Sequence, residues 1–290
     1  MRYIVDHPLN RRNKLKALSR FIKWQLGVRL VSGPVVVDWV DGSRMIVHRG
    51  DTGFTQNLYC GLHDFQEMSY ILHLANETDL FVDVGANVGA YTILACGARG
   101  ARGYCFEPVP ATYARLTDNI QLNRLNSRVT TCNLGLSDQD GILRFTSDLN
   151  CTNHIVSQSD YGGKTVEVAV KSLDSVLGSE RPTIIKIDVE GYETSVLRGA
   201  SRTLANPSLH SVIMELNGSG YRYGFDERWI LGEMLRYGFS ICQYDPFTRR
   251  LSPHSNRYDK GKNALFVRGM DEVQERLLMS SRFRVIGQSI

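Results

Sequence analysis

The chain has 290 residues, 42% hydrophobic, 22% charged and 9% aromatic, a globular composition that excludes a disordered chain, a fibrous repeat and a small disulfide scaffold. Its 34 basic and 30 acidic residues give a net +4, weak for a dedicated nucleic-acid binder. The charge is unevenly placed: Arg2, Arg11, Arg12, Lys14, Lys16, Arg20 and Lys23 against Asp6 put +6 into the first 26 residues, leaving −2 on the rest. The six cysteines stand singly, without metal-ligand spacing, and are expected to be reduced. No apolar run is long enough to cross a bilayer and no signal-peptide pattern opens the chain, so a cytoplasmic location is expected, with the inner membrane face as a place of peripheral contact.

Residues 15–26 read as a basic amphipathic helix, with Leu15, Leu18, Phe21, Ile22 and Leu26 at helical spacing. It is expected either to pack on the body or to offer residues 1–26 to anionic lipid or an acidic partner. Residues 35–40, the Asp41-Gly42 turn and residues 44–47 predict a β-hairpin. A short helix follows at 65–74. Residues 1–78 thus read as an appendage.

From residue 79 short apolar runs alternate with amphipathic segments, the pattern of βαβ units on a parallel sheet. Strands are expected at 80–84, 103–106, 129–133, 183–189, 211–216, 239–244 and 264–267, and helices at 89–97, 111–125, 192–205 and 226–237. Two alternating runs, 142–147 and 165–170, predict an inserted β-ribbon joined by a polar loop. The main domain is placed at 79–270 and a tail at 271–290.

The densest signal is Phe81-Val82-Asp83-Val84-Gly85-Ala86-Asn87-Val88-Gly89, a buried strand entering a glycine turn and then a helix. In an open α/β sheet that turn borders the ligand crevice. The spacing lacks the second glycine of a dinucleotide fingerprint, and no Walker lysine follows. Asp83 would repel a pyrophosphate but suits a ligand bearing ammonium and sulfonium groups. Glu107, ending the second strand before Pro108, is placed to bind the two hydroxyls of a ribose. The fourth strand carries Lys186, Asp188 and Glu190 among isoleucines and valines. Such charges are costly in a buried strand unless they pair or face a cleft.

Together the DVGANVGAYT run, Phe106-Glu107-Pro108, Gln121-Leu122-Asn123, IIKIDVEGYE, the Val196–Ala200 segment VLRGA and the late Asn263-Ala264-Leu265-Phe266-Val267 resemble the FkbM family of S-adenosylmethionine-dependent methyltransferases. The resemblance implies a Rossmann-like class I methyltransferase fold, with a seven-stranded, mostly parallel sheet whose last strand is antiparallel. It implies that Asp83, Gly85, Ala86, Asn87 and Gly89 line the methionine end of S-adenosyl-L-methionine, that Glu107 binds its ribose, that Asn133 edges its adenine, and that Asp188 stands near the transferred methyl. Tyr192 departs from the smaller residue usual in relatives and would narrow the acceptor entrance.

The implied reaction is O-methylation of a sugar, glycolipid, polysaccharide or secondary-metabolite hydroxyl. Candidates for the base are Asp188, Glu190, Glu193 and His154, with Lys186 expected to hold Asp188 ionised or to orient the acceptor; no metal is assigned. A nucleic-acid methyltransferase on the same fold lacks its Asn/Asp-Pro-Pro-aromatic motif here, and no nucleic-acid partner is expected. A non-catalytic binding module is the remaining alternative, against which the intact Asp83, Gly85, Glu107 and Asp188 weigh.

Overall fold

A computed structural model describes residues 1–156, 161–254 and 262–290. The chain opens with helices α1 (Arg2–Asp6) and α2 (Lys14–Leu30) and the hairpin β1 (Val35–Asp38) and β2 (Arg44–Val47). Asp41 and Gly42 both have positive φ, and Ser43 N–H donates to the Val40 carbonyl, the type I′ geometry that an Asp-Gly pair favours. Helices α3 (Thr52–Cys60) and α4 (Phe65–Leu74) follow.

Next come β3 (Leu80–Val84), α5 (Ala90–Thr92) running into a π-helical stretch Ile93–Ala98, β4 (Arg102–Phe106), α6 (Pro110–Leu122) and β5 (Val129–Cys132). A three-stranded ribbon is built from β6 (Gly135–Leu136), β7 (Gly141–Thr146) and β8 (Thr165–Lys171), in the order β6-β8-β7. Part of its polar loop, residues 157–160, lies outside the described residues. Then follow α7 (Leu173–Leu177), β9 (Ile184–Ile187), α8 (Glu193–Arg198), α9 (Ser201–Ala205), β10 (Ser211–Leu216), α10 (Glu227–Arg236), β11 (Ser240–Asp245), β12 (Arg250–Pro253) and β13 (Lys262–Val267). The chain ends in α11 (Met270–Met279) and a small hairpin, β14 (Arg284–Val285) and β15 (Gln288–Ser289).

The central sheet has the order β12-β11-β13-β10-β9-β3-β4-β5. Strands β5, β4, β3, β9 and β10 run parallel, and β13 is antiparallel to both β10 and β11. This is the doubly wound α/β sheet expected, with one correction: β12 pairs with β11 and adds an eighth strand. It lies in a stretch whose weak periodicity hid a short edge strand; residues 255–261 of that stretch are outside the described residues.

Both faces of the parallel strands are covered, so β3 and β9 are buried along their whole length. Strand alternation divides the side chains. Val82, Val84, Ile185, Ile187, Val212 and Met214 pack into one apolar layer with Val196, Leu197 and Met234. Phe81, Cys105, Ile184 and Ile213 face the opposite layer, shared with Tyr70, Ile71, Leu94 and Leu116. That second layer also takes in Leu9, Val40, Met45, Phe283, Val285 and Ile290. The segments 1–78 and 271–290 therefore share the core of the main fold. The expected tail is instead a helix and hairpin with Val273, Leu277 and Ile290 buried.

The N-terminal helix departs from its predicted packing. Ala17 is fully buried and Phe21 and Trp24 pack on Tyr59 and Cys60, whereas Leu15, Ile22 and Leu26 are exposed. The hairpin is held by two side chains of α6: Asn119 Oδ1 accepts from Ile46 N–H, and Asn123 exchanges hydrogen bonds with the backbone of Arg44.

Candidate active site

The alternation that sorts the core also builds the site. On the face of β3 and β9 that carries Phe81 and Ile184, the next positions are Asp83 and Lys186, which are register partners. The same period brings Asp188, Glu107 beyond β4 and Glu215 on β10 to that side of the sheet. They gather at the carboxyl ends of the parallel strands, where open α/β sheets bind ligands.

A cavity of about 260 Å³ lies there, and its walls include Asp83, Gly85, Ala86, Asn87, Glu107, Lys186, Asp188, Glu190, Tyr192 and Glu215. Helix α3 adds Gly53, Gln56 and Asn57, the turn before α4 adds His63 and Asp64, and the ribbon side adds Leu134, Leu136, Phe145, Asn150, Cys151, Asn153 and Ile155.

The glycine turn is fixed by backbone contacts. The N–H groups of Gly85 and Ala86 both donate to the Phe106 carbonyl. Gly85 has φ 77°, and a Cβ there would lie 1.8 Å from the Asp188 carbonyl oxygen, so this position requires glycine. Gly89 does not line the cavity. It has φ 90° and caps α5, where a Cβ would meet Leu116.

Asp83 is buried, and one of its carboxylate oxygens accepts from the Thr92 N–H and hydroxyl at 3.0 and 2.6 Å. Burial raises its pKa to about 6, against the opposing pull of Thr92 and Lys186. Glu107 accepts from Asn87 N–H on one oxygen and from Val109 N–H on the other, both at 3.0 Å. Burial pushes its carboxyl up to about 7. Each oxygen retains a lone pair for a further donor.

Asn133 stands behind this wall rather than in it. Its amide donates to the carbonyls of Glu107 and Pro108, so it fixes the strand end, and Leu134, Gly135 and Leu136 line the cavity in its place.

On the other side, Lys186 is only 1% exposed and donates to Asp188 Oδ2 at 2.9 Å. Its ammonium lies 5.3 Å from the Tyr91 ring centroid, within cation–π range. Burial alone would lower the Lys186 pKa; the charge and hydrogen bond of Asp188 outweigh it and raise it.

Glu190, with φ 55° in the turn after β9, is half-buried and pushed up to about 7 by burial and by the Asp188 charge. Glu215, which the sequence reading passed over, is pushed up to about 9 by burial and then by Asp188 and Glu190. Asp188, Glu190 and Glu215 each bring an oxygen within 4.8 Å of the others. The signal for Glu215 was the one used for Lys186: a charge in an otherwise apolar buried strand.

Two candidates for the base fall outside the cavity walls. Glu193 is buried with Oε1 accepting from the N–H groups of Val189 and Gly191, so it holds the turn that carries Glu190. His154 turns its Nδ1 to the Thr152 carbonyl, while its neighbours Asn153 and Ile155 line the cavity. Tyr192 is among the lining residues, edge-to-face with Tyr223 at 5.1 Å. The Tyr223 hydroxyl donates to the Ile155 carbonyl and ties the ribbon to this wall.

The family described as Methyltransferase FkbM domain matches residues 83–241. The hexuronic acid methyltransferase AglP of Haloferax volcanii is 33% identical over 150 residues, 51% of this chain and 59% of that protein. Methyltransferase 1 of Beauveria bassiana is 29% identical over 151 residues, 42% of this chain and 59% of its own length. The chain thus spans about three fifths of these relatives. The crystal structure of a methyltransferase FkbM from Methylobacillus flagellatus superposes with a TM-score of 0.44 at 19% identity, covering 65% of this chain and 43% of that one. With five of its six motifs, from the DVGANVGAYT run to the Val196–Ala200 segment, lying inside the matched segment, this chain belongs to the FkbM methyltransferase family.

Proposed function

We propose that the protein is an S-adenosylmethionine-dependent O-methyltransferase acting on a hydroxyl of a sugar, glycolipid, polysaccharide or secondary metabolite. The observation that carries this reading is the excess of carboxyl over basic groups in the lining of the cleft. Six carboxyl groups, Asp64, Asp83, Glu107, Asp188, Glu190 and Glu215, line it with Lys186 as the lysine or arginine among the described lining residues. Such a wall favours a sulfonium and ammonium ligand with a neutral polyol, and disfavours a phosphate backbone. The name of the AglP relative, a hexuronic acid methyltransferase, agrees with a sugar acceptor.

The residues fit that cofactor. Glu107 has one free lone pair on each oxygen for a ribose diol, and Asp83, Gly85, Ala86 and Asn87 present a carboxylate and close backbone to a cationic amino-acid end. When bound, S-adenosylmethionine supplies a methyl already activated on sulfur. The chain's own work is to hold an acceptor oxygen in line, exclude water and accept a proton. Positioning of this kind is worth roughly 7–11 kcal/mol.

Asp188 is the proton acceptor in this reading: its side chain is 40% exposed to the cleft while Lys186 beneath it is buried and supplies the counter-charge. Burial and the Asp188 charge favour the protonated form of Glu215, which can donate a hydrogen bond to a second acceptor oxygen. Asn150 adds an amide group suited to a polyol, while Asn153 is bonded to Thr146, Leu149 and Asn150 of its own loop.

The test is methyl transfer from labelled cofactor to a panel of glycan, glycolipid and metabolite acceptors, with S-adenosylhomocysteine release and calorimetric cofactor binding measured in parallel. Labelled product with a hydroxylated acceptor supports the reading. Cofactor binding without turnover on any acceptor favours a binding module, and absence of cofactor binding removes the proposal.

A further inference from the structure

Helix α2 is apolar on two opposite sides, and among the described residues only one is covered. Toward the body, Ala17 is fully buried, Phe21 stacks edge-to-face on Tyr59 at 5.1 Å, and Trp24 packs in the same cluster. Arg20 belongs to this side too, donating to the Tyr59 carbonyl and Asn10 Oδ1. On the far side, at helical spacings of seven, four and four residues, Leu15, Ile22, Leu26 and Leu30 are 81, 51, 56 and 87% exposed. At about 100° per residue these four fall within one narrow arc of the helix.

Exposed leucines taken singly need no explanation; an aligned row on a soluble surface does. Its flanks are basic: Lys16 and Lys23 border one side of the stripe and Arg29 the other, all exposed, and the preceding turn adds exposed Arg11 and Arg12. The helix sequence KLKALSRFIKWQLGVRL contains no Asp or Glu. An apolar stripe between lysines and arginines is the pattern of a helix lying in the plane of an anionic bilayer.

We propose that the outer face of α2 docks this protein on an anionic lipid surface, with Leu15, Ile22, Leu26 and Leu30 entering the headgroup boundary and Lys16, Lys23 and Arg29 meeting lipid phosphates. The charge distribution of the chain favours this orientation, because the first 26 residues carry +6 and the remainder −2. Helix α2 rests on α3, and α3 supplies Gly53, Gln56 and Asn57 to the cleft. Docking therefore holds that wall of the cleft about one helix diameter, about 10 Å, behind the lipid surface.

The experiment is co-sedimentation of the full chain with vesicles of equal parts phosphatidylglycerol and phosphatidylcholine, and with vesicles of phosphatidylcholine alone. Wild-type protein is expected on the anionic vesicles and in the supernatant of the neutral ones. Lys16→Gln with Lys23→Gln should weaken binding about fivefold per charge. Ile22→Ser with Leu26→Ser and Leu30→Ser should weaken it by about tenfold or more per side chain.

These side chains are exposed, so circular dichroism and the thermal midpoint should match wild type. Equal wild-type binding to both vesicle types overturns the proposal whatever the variants do. So does wild-type binding by the folded triple serine variant. A concentration-dependent dimer in sedimentation velocity that the serine variant abolishes would assign the stripe to a second copy and equally overturn it. Methyl transfer is not read, so the outcome is independent of the acceptor.

Discussion

The two sides of the cleft are built differently. On the β3 and β4 side the polar groups have fixed partners within the fold: Asp83 holds Thr92, Glu107 holds Asn87 and Val109, and Asn133 holds the carbonyls of residues 107 and 108. On the β9 and β10 side, three carboxyl groups crowd within 4.8 Å of one another around a single buried ammonium. The first side is a backbone cradle set before any ligand arrives. The second holds its charges close together, at a cost that a bound polyol can offset through hydrogen bonds. In the proposed function, preorganisation would therefore belong to the cofactor side and reactivity to the acceptor side.

Variants that separate binding from turnover test this contrast. The largest effect is expected from Gly85→Ala, whose Cβ would fall 1.8 Å from the Asp188 carbonyl oxygen at a φ of 77°. Urea denaturation should show a loss of about 3 kcal/mol or more, with cofactor binding lost as well. A wild-type unfolding midpoint would mean that the turn can move away from β9.

Asp188→Asn should act on the other side alone. Turnover is expected to fall about 10²–10⁴-fold, while the cofactor dissociation constant by calorimetry stays close to wild type. Near-normal turnover would remove Asp188 as the proton acceptor.

An intermediate effect is expected from pH. Glu107, raised to about 7 by burial, is mostly neutral below that pH, whereas a cationic ligand favours its carboxylate. Cofactor affinity should therefore rise with pH, by up to about tenfold per unit below the Glu107 pKa, and level off above it. Glu107→Gln should weaken binding and flatten this profile; an unchanged slope in that variant would assign the titration elsewhere, with Asp83 next in line.

The smallest effect is expected from His154→Ala. Its ring faces the Thr152 carbonyl outside the cavity walls, and turnover should change by less than about twofold. A large loss would bring the ribbon loop into the chemistry.

Much of this architecture was legible in the sequence, and unevenly so. The parallel strands were readable because burial on both faces writes them as short Val/Ile/Leu runs. Gly85 and the Asp41-Gly42 turn were readable because positive φ selects few residue types. Asp83 and Glu107 stand at strand ends, where chain position alone places them beside the crevice. Glu193 and His154 lie outside the cavity walls, and residue type does not reveal where a side chain turns: one caps a backbone turn and the other bonds its own loop. Glu215 carries the same sequence signal as Lys186, a charge in an apolar buried strand, but the charges that it meets belong to a neighbouring strand and the turn after it.

By itself the sequence determined the parallel strands of the central sheet, the glycine turn and the family, because these depend on local conformation and on the periodicity of burial. Only the tertiary structure decided which carboxylates meet, that Asp188 sits on a buried ammonium, that the chain's two ends share one core, and which side of α2 faces out. The physical reason is the same in each case. Periodicity defines the faces of an element, but what each face packs against is set by parts of the chain far away in sequence.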